Sequence, residues 1–279
     1  MSHIAIVTDS TAYLSPELID RWQVRVVPVE VIVGGRGYRE GVDITPAEVA
    51  AGLREWKMIT TSRPSPADFT KTYLDAAAAG ATGVVSIHLS SAISGTYESA
   101  MLGARESEIP VTVVDSRSIA MGLGFAVIAA ARAAAEGADM DAVVAAAERV
   151  AAESVVLFYV DTLEFLRRGG RVGATAAVVG TALRVKPLLT VTDGTVTQLE
   201  KARTANKALA RLADIAVERA AGRNVQVAVQ HLEAPERADQ LAAVLQERLA
   251  TKVSVSEVGA VVGAHVGPGM VSVSLAPAE

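Results

Sequence analysis

Short β-branched runs alternate with helix starts through the first half of this chain. Ile4-Ala5-Ile6-Val7, Val24 to Val33, Gly83 to Ile87 and Val111 to Val114 read as strands. Helical stretches separate most of them, which is the βαβ rhythm of a mostly parallel sheet with helices on both faces. Ser15-Pro16, Thr45-Pro46-Ala47-Glu48 and Ser65-Pro66-Ala67-Asp68 each place a hydroxyl at N-cap and a proline at N1. The last two add an acidic residue at N3, as in a capping box. Between Val29 and Glu40 the pattern changes, because Gly34-Gly35-Arg36-Gly37 joins two extended runs and reads as a hairpin ribbon rather than a crossover.

A helical stretch from Arg117 to Ala152, broken near Gly137, precedes a second set of strands. These are Ser154 to Val160, Lys186 to Val191, Thr195 to Glu200, Val225 to Gln230, Lys252 to Glu257 and Val271 to Leu275. Asp193-Gly194 between two alternating runs is a strong hairpin signal, so this sheet carries antiparallel pairing that the first half mostly lacks. Helices near Asn206 to Ala221 and Pro235 to Leu249 cover it. The expectation is an α/β protein with an N-terminal domain over residues 1–152 and a C-terminal α+β domain with a mixed sheet over residues 153–279.

Size fits two domains, since 279 residues divided by roughly 150 per domain gives about two. Hydrophobic residues make up 51% and charged residues 20%, enough for two cores and too apolar for disorder. Aromatics are few and alanine fills much of the apolar share, as in Ala76 to Ala79 and Ala129 to Ala135. Such helices either pack tightly in the ordinary way or leave narrow slots between them. No long apolar stretch lacks charge, and Met1-Ser2-His3-Ile4 enters a strand without a basic leader, so the expected location is the cytoplasm. The absence of cysteine excludes disulfides, thiolate catalysis and Cys-based metal sites. A net charge of −5 gives no general attraction for nucleic acid.

Four segments can carry chemistry. Ser90-Ser91-Ala92-Ile93-Ser94-Gly95-Thr96-Tyr97 follows a strand and opens a helix, placing free N–H groups and a favourable dipole where an anion binds. The plainer reading makes Ser94 a helix cap. Thr60-Thr61-Ser62-Arg63-Pro64-Ser65 is a second hydroxyl cluster. On the shared rim of a doubly wound sheet it would converge with Ser94, and Asp9-Ser10-Thr11 would sit there too. All three clusters also suit turns and caps regardless of any ligand. Gly263-Ala264-His265-Val266-Gly267-Pro268-Gly269 holds a lone histidine in a tight loop, where it donates to an anion or serves the loop itself. Phe165-Leu166-Arg167-Arg168-Gly169-Gly170-Arg171 ends a helix with arginines, with Gly169 as the C′ residue, and Arg203 can add a guanidinium.

No phosphate loop, dinucleotide fingerprint, H-E-x-x-H pair or G-x-S-x-G elbow occurs. A Ser94 nucleophile with His88 or His265 as base, giving an acyl-transfer or ester-hydrolysing enzyme, is the alternative to a binding protein.

Together these segments resemble the DegV family, the bacterial fatty-acid-binding proteins that serve fatty acid kinase. The matching pieces are Ile6-Val7-Thr8-Asp9-Ser10, Gly41-Val42-Asp43-Ile44, the Thr60 to Ser65 and Ser90 to Tyr97 clusters, Phe165 to Val172, Lys186-Pro187-Leu188-Leu189 with Asp193-Gly194 and Lys201-Ala202-Arg203, and the His265 loop. They run in family order along almost the whole chain; Ala92-Ile93 departs mildly, standing where a Gly/Lys-Leu pair is common.

The resemblance implies a fatty acid lying between the domains, its carboxylate on Thr61 and Ser94 with Ser62 and Gly95 beside them. It places His265, Arg203 and Arg171 near the carboxylate mouth and partner surface. It implies no catalytic residue, metal or cofactor of the chain's own. The implied partner is the ATP-binding subunit of a fatty acid kinase, which makes an acyl phosphate, with at most transient membrane contact. Burying about fifteen methylenes at ~0.8 kcal/mol each outweighs the ~1.5–3 kcal/mol of a charged hydrogen bond, so the tail supplies affinity and the hydroxyls orient the head.

Overall fold

The computed structural model describes residues 3–55, 57–172 and 185–278, so the Met1-Ser2 start of the opening run lies outside the described residues. In the first half the elements are β1 (Ile4–Asp9), α1 (Pro16–Trp22), β2 (Arg25–Val27), β3 (Glu30–Val33), β4 (Arg36–Arg39), α2 (Pro46–Arg54), β5 (Ile59–Ser62) and α3 (Pro66–Ala78). They continue through β6 (Gly83–His88), α4 (Thr96–Ala104), β7 (Val111–Asp115), α5 (Met121–Ala135) and α6 (Met140–Glu153). Ser15, Thr45 and Ser65 cap their helices as expected, the last two through complete capping boxes.

Strands β2-β1-β6-β7 form the expected parallel sheet. Its strands are apolar at successive positions because both faces are covered. Ile4, Ile6, Val85 and Ile87 pack with α5 and α6, while Val7 and Val84 pack with Phe69 and Tyr73 of α3 and Ala100 of α4.

The run from Val24 to Val33 is not one strand. Pro28 has no N–H to give a ladder. The chain leaves the parallel sheet after β2, and β3 enters a separate antiparallel sheet of order β4-β3-β5. The ribbon itself forms as expected, with Gly34 and Gly35 at φ +59° and +85° in the turn between β3 and β4. Both φ values are positive, as a two-residue hairpin of matching twist requires.

The second half contains β8 (Val155–Tyr159), α7 (Glu164–Arg168), β9 (Lys186–Thr192), β10 (Thr195–Ala202), α8 (Ala205–Ala220) and β11 (Val225–His231). It closes with α9 (Pro235–Leu249), β12 (Val253–Glu257), α10 (Ala260–Val266) and β13 (Val271–Pro277). Its sheet has the order β10-β9-β8-β13-β11-β12, antiparallel except for the β11–β12 pair. Asp193 and Gly194 turn the β9–β10 hairpin, both at positive φ. One face buries Leu157, Val227 and Val273 under α8 and α9. On the other, Ala228 and Ala276 join the α5–α6 core, so those two helices lie between the sheets. Gly122 lets α5 come close, since a Cβ there would fall 2.5 Å from Val156 Cγ2.

A buried polar line fixes the end of β1. Tyr73 donates to Ser86 Oγ at 2.9 Å, Ser86 Oγ lies 2.7 Å from His88 Nε2, and His88 Nδ1 lies 3.0 Å from Asp9 Oδ2. Asp9 also accepts from Leu89 N–H at 3.1 Å and from both the N–H and hydroxyl of Thr11. One histidine tautomer satisfies the line, with Nδ1–H donating to the carboxylate and Nε2 accepting from Ser86. Asp9 therefore points into the core, where the sequence had suggested a place on a ligand rim.

Asp9→Ala strands these donors in a dry interior and should cost about 3–5 kcal/mol of unfolding free energy. Urea denaturation reads this directly, and a loss below about 1 kcal/mol would contradict the assignment.

Candidate functional site

A cavity of about 300 Å³ opens between the six-stranded sheet and the first half. Its walls are largely hydrocarbon. Val156 and Phe158 come from β8, Val191 and Val196 from the β9–β10 hairpin, and Val261, Val262 and Val266 from α10. Leu89, Ile93 and Ile119 line the side formed by the first half.

Hydrogen-bonding groups meet at one part of the lining, brought there from four segments. Thr61 and Ser62 lie on β5, in the small antiparallel sheet where Thr61 pairs with Val31. This corrects the expectation that the Thr60 to Ser65 cluster turns at the rim of the parallel sheet. Thr61 and Ser94 nevertheless line the same cavity. Ser94 and Gly95 stand in the turn after β6, whose Ile93 and Ser94 N–H groups both donate to Ser90 C=O at 3.2 Å. Ser94 Oγ accepts from Thr96 N–H at 3.3 Å and lies 2.9 Å from Thr96 Oγ1. Gly95 is the N-cap of α4 and gives it no side-chain cap. The first turn of such a helix leaves N–H groups without intrahelical partners. Arg63 packs over Gly95, its Nη1 2.3 Å from where a Cβ would stand, so a larger residue there would displace the Arg63 side chain.

Arg171 reaches across from the segment after α7. Its Nε donates to Ile93 C=O at 3.1 Å and its Nη1 to Gly169 C=O at 2.5 Å, which ties the Ser94 turn to the second half. His265 sits in the last turn of α10, a helix where the sequence suggested a loop, with Gly267 at φ +75° ending it. Its Nε2 lies 2.9 Å from Thr61 Oγ1. Gly169 makes room for the ring, since a Cβ there would fall 2.2 Å from His265 Nδ1. The left-handed residue after α7 is Gly170, at φ +69°, rather than Gly169 as the sequence suggested.

The electrostatics favour an anion. Arg63, Arg171 and the N-terminus of α4 face the cavity, and no carboxylate lines it among the described residues. Burial, and next the Arg171 charge, push His265 down to about 4, so its imidazole is neutral at physiological pH.

Other sequence candidates fall elsewhere. Arg203 follows β10, is exposed, and is not among the lining residues. Arg167 and Arg168 pair with Glu164 at 2.7 and 2.8 Å. Ser10 turns to Glu40. A Ser94 nucleophile gains no support from these contacts: His265 faces Thr61, and His88 is enclosed with Ser86 and Asp9. Arg63 is a lining residue that the sequence reading did not single out; its signal was its place inside the hydroxyl cluster.

A family model described as an uncharacterised protein of the DegV family matches residues 3–278. A DegV domain-containing protein of Streptomyces coelicolor is 50% identical over 273 residues, 97% of each chain. A solved DegV family protein of Thermus thermophilus, described for its fatty acid binding, superposes with a TM-score of 0.90 at 37% identity, covering 99% of this chain and 100% of that one. DegV of Bacillus subtilis, described as a fatty acid binding protein, gives a TM-score of 0.91 at 30% identity with both chains fully covered.

A lowered histidine pKa contributes stability that is intact above about 6.5 and is lost as pH falls toward about 4, in all roughly 3 kcal/mol. Nitrogen-15 NMR of the imidazole should show His265 neutral at pH 6 and titrating near 4 in the empty protein. A midpoint at 6.5 would contradict its burial beside Arg171.

Proposed function

The chain belongs to the DegV family, and from that membership and the cavity's chemistry we propose that it binds a long-chain fatty acid. The acyl chain fills the hydrocarbon part, and the carboxylate takes hydrogen bonds from Thr61, Ser94, Ser62 and the Gly95 N–H. His265 and Arg171 stand beside it, and Arg203 belongs to the surface around the mouth. The observation that carries this reading is the cavity's asymmetry: donors from four separate segments join a lining otherwise made of Val, Leu, Ile, Phe, Ala120 and Met270, with Ser272 of β13 as one further hydroxyl.

Burial of the tail supplies affinity without chemical specificity, since about 0.8 kcal/mol accrues per methylene whatever the head group. The head group's hydrogen bonds add less and fix direction. That division suits a protein that presents a carboxylate rather than transforming it. We therefore read it as a non-catalytic lipid-binding subunit with no cofactor of its own. Its partner would be the ATP-binding subunit of a fatty acid kinase, which converts the presented acid to acyl phosphate for phospholipid metabolism. The protein would work in the cytoplasm and touch the membrane only to exchange lipid. Among the described residues no helix is long and apolar enough to cross a membrane.

Native mass spectrometry of the purified protein should find a fatty acid bound, and added oleate should bind the delipidated protein. A protein that stays empty and ignores oleate would overturn the reading.

Thr61→Ala and Ser94→Ala should each weaken oleate roughly 10- to 100-fold, the loss of one hydrogen bond to a charged group, with the fold intact by circular dichroism. Unchanged affinity in both would place the carboxylate elsewhere. With a fatty acid kinase ATP-binding subunit and ATP, hydroxylamine should trap the acyl group only when this protein is present; equal trapping without it would remove the presenting role.

A further inference from the structure

At the start of α10, lining a cleft other than the cavity, lies a buried carboxylate that the binding site does not use. Glu40 is 5% exposed and follows β4, bridged to Ile44. Its Oε1 accepts from Val261 N–H at 2.7 Å and from the Tyr13 hydroxyl at 3.3 Å, and its Oε2 accepts from Ser10 at 2.5 Å. Tyr13 oxygen in turn accepts from Val262 N–H at 3.2 Å. Glu40 and Tyr13 thus take up two N–H groups in the first turn of α10, which no side chain of the helix's own N-cap satisfies. Gly259 is needed for this approach, since a Cβ there would fall 2.2 Å from Glu40 Oε1.

The same helix is a wall of the cavity. Val261 and His265 are four residues apart, on one face, and both line it. A displacement of the first turn therefore carries His265 with it. The titratable groups around Glu40 are Asp9 and Tyr13 from β1 and its turn, Glu257 from the end of β12, and His265 at the far end of α10. No lysine or arginine lines the cleft beside it among the described residues. Its charge is balanced by hydrogen bonds alone.

We propose that Glu40 is a positioning residue for the ligand site, gripping the start of α10 so that His265 is held against Thr61. The effect on lipid binding rests on the fatty-acid reading; the effect on His265 does not. Burial raises the Glu40 pKa to about 7, against the pull of Ser10, Val261 and Tyr13, so the grip changes character near neutral pH. Protonation replaces charge-assisted bonds with neutral ones of about half the strength. Overall stability moves the other way. A carboxyl whose folded pKa is raised from 4.5 to about 7 costs stability as pH rises through that window, so a site that tightens with rising pH does not tighten through general stabilisation.

The test uses full-length protein with nitrogen-15 histidine, delipidated, titrated from pH 5.5 to 8. In the wild type the His265 ring signals should shift with a midpoint near 7 while the ring stays neutral. Glu40→Gln should abolish that shift, because a neutral amide keeps one state across the whole range. Oleate should bind the wild type roughly tenfold more weakly at pH 6 than at pH 8, and Glu40→Gln should flatten this dependence. His265 signals that ignore pH near 7, or that behave alike in both proteins, overturn the proposal. If the variant fails to fold, the wild-type titration decides alone. If oleate binds neither protein, the fatty-acid reading falls while the histidine signals still judge Glu40.

Discussion

A carboxylate removed from water has to be met by donors already in place, because a buried anion without them costs more than its tail can recover. On the proposed reading, this requirement accounts for the donors that line the contact between the two halves of the molecule. The donors sit on β5, on the turn before α4, after α7 and on α10, and none of these segments is a sequence neighbour of another. The fold is the device that assembles them. Arg171 ties the Ser94 turn to the second half, Gly169 admits the His265 ring, and Glu40 joins the ribbon to the helix that carries the histidine.

The hydrocarbon part depends on small residues and on β-branched ones, for different reasons. Gly122 and the alanines of α5 allow that helix to lie close to β8, so the space left between the sheets is narrow. The valines of β8, β9, β10 and α10 have few rotamers and hold the walls in shape.

Much of the fold was legible because local rules and tertiary packing agree. The capping boxes at Thr45 and Ser65, the hairpins at Gly34-Gly35 and Asp193-Gly194, and the apolar strands of the parallel sheet each obey a rule that acts over a few residues. The failures lie where a long-range partner decides. Pro28 splits one apolar run between two sheets, a choice made by where each piece finds a ladder. His265 lies in a helix whose first-turn N–H groups are taken up by Glu40 and Tyr13, more than two hundred residues away in sequence. Glu40 itself was not singled out, since it stood only as the last residue of the ribbon from Val29 to Glu40, and the fold buries it. Thr61 and Ser94, singled out through their hydroxyl-rich surroundings, both line the cavity, although Thr61 reaches it from a different sheet than its pattern suggested. Arg203 lies on the exposed surface after β10, outside the cavity lining.

The central claim is that one set of donors grips an acidic head while a hydrocarbon tail fills the space behind it. A crystal structure of the delipidated protein reloaded with oleate tests it most directly. The account predicts the carboxylate within hydrogen-bond distance of Thr61 and Ser94, with the tail running between the valines of β8 and α10. A tail in that space with its carboxylate far from both hydroxyls, or lipid density only outside the cavity, would contradict it.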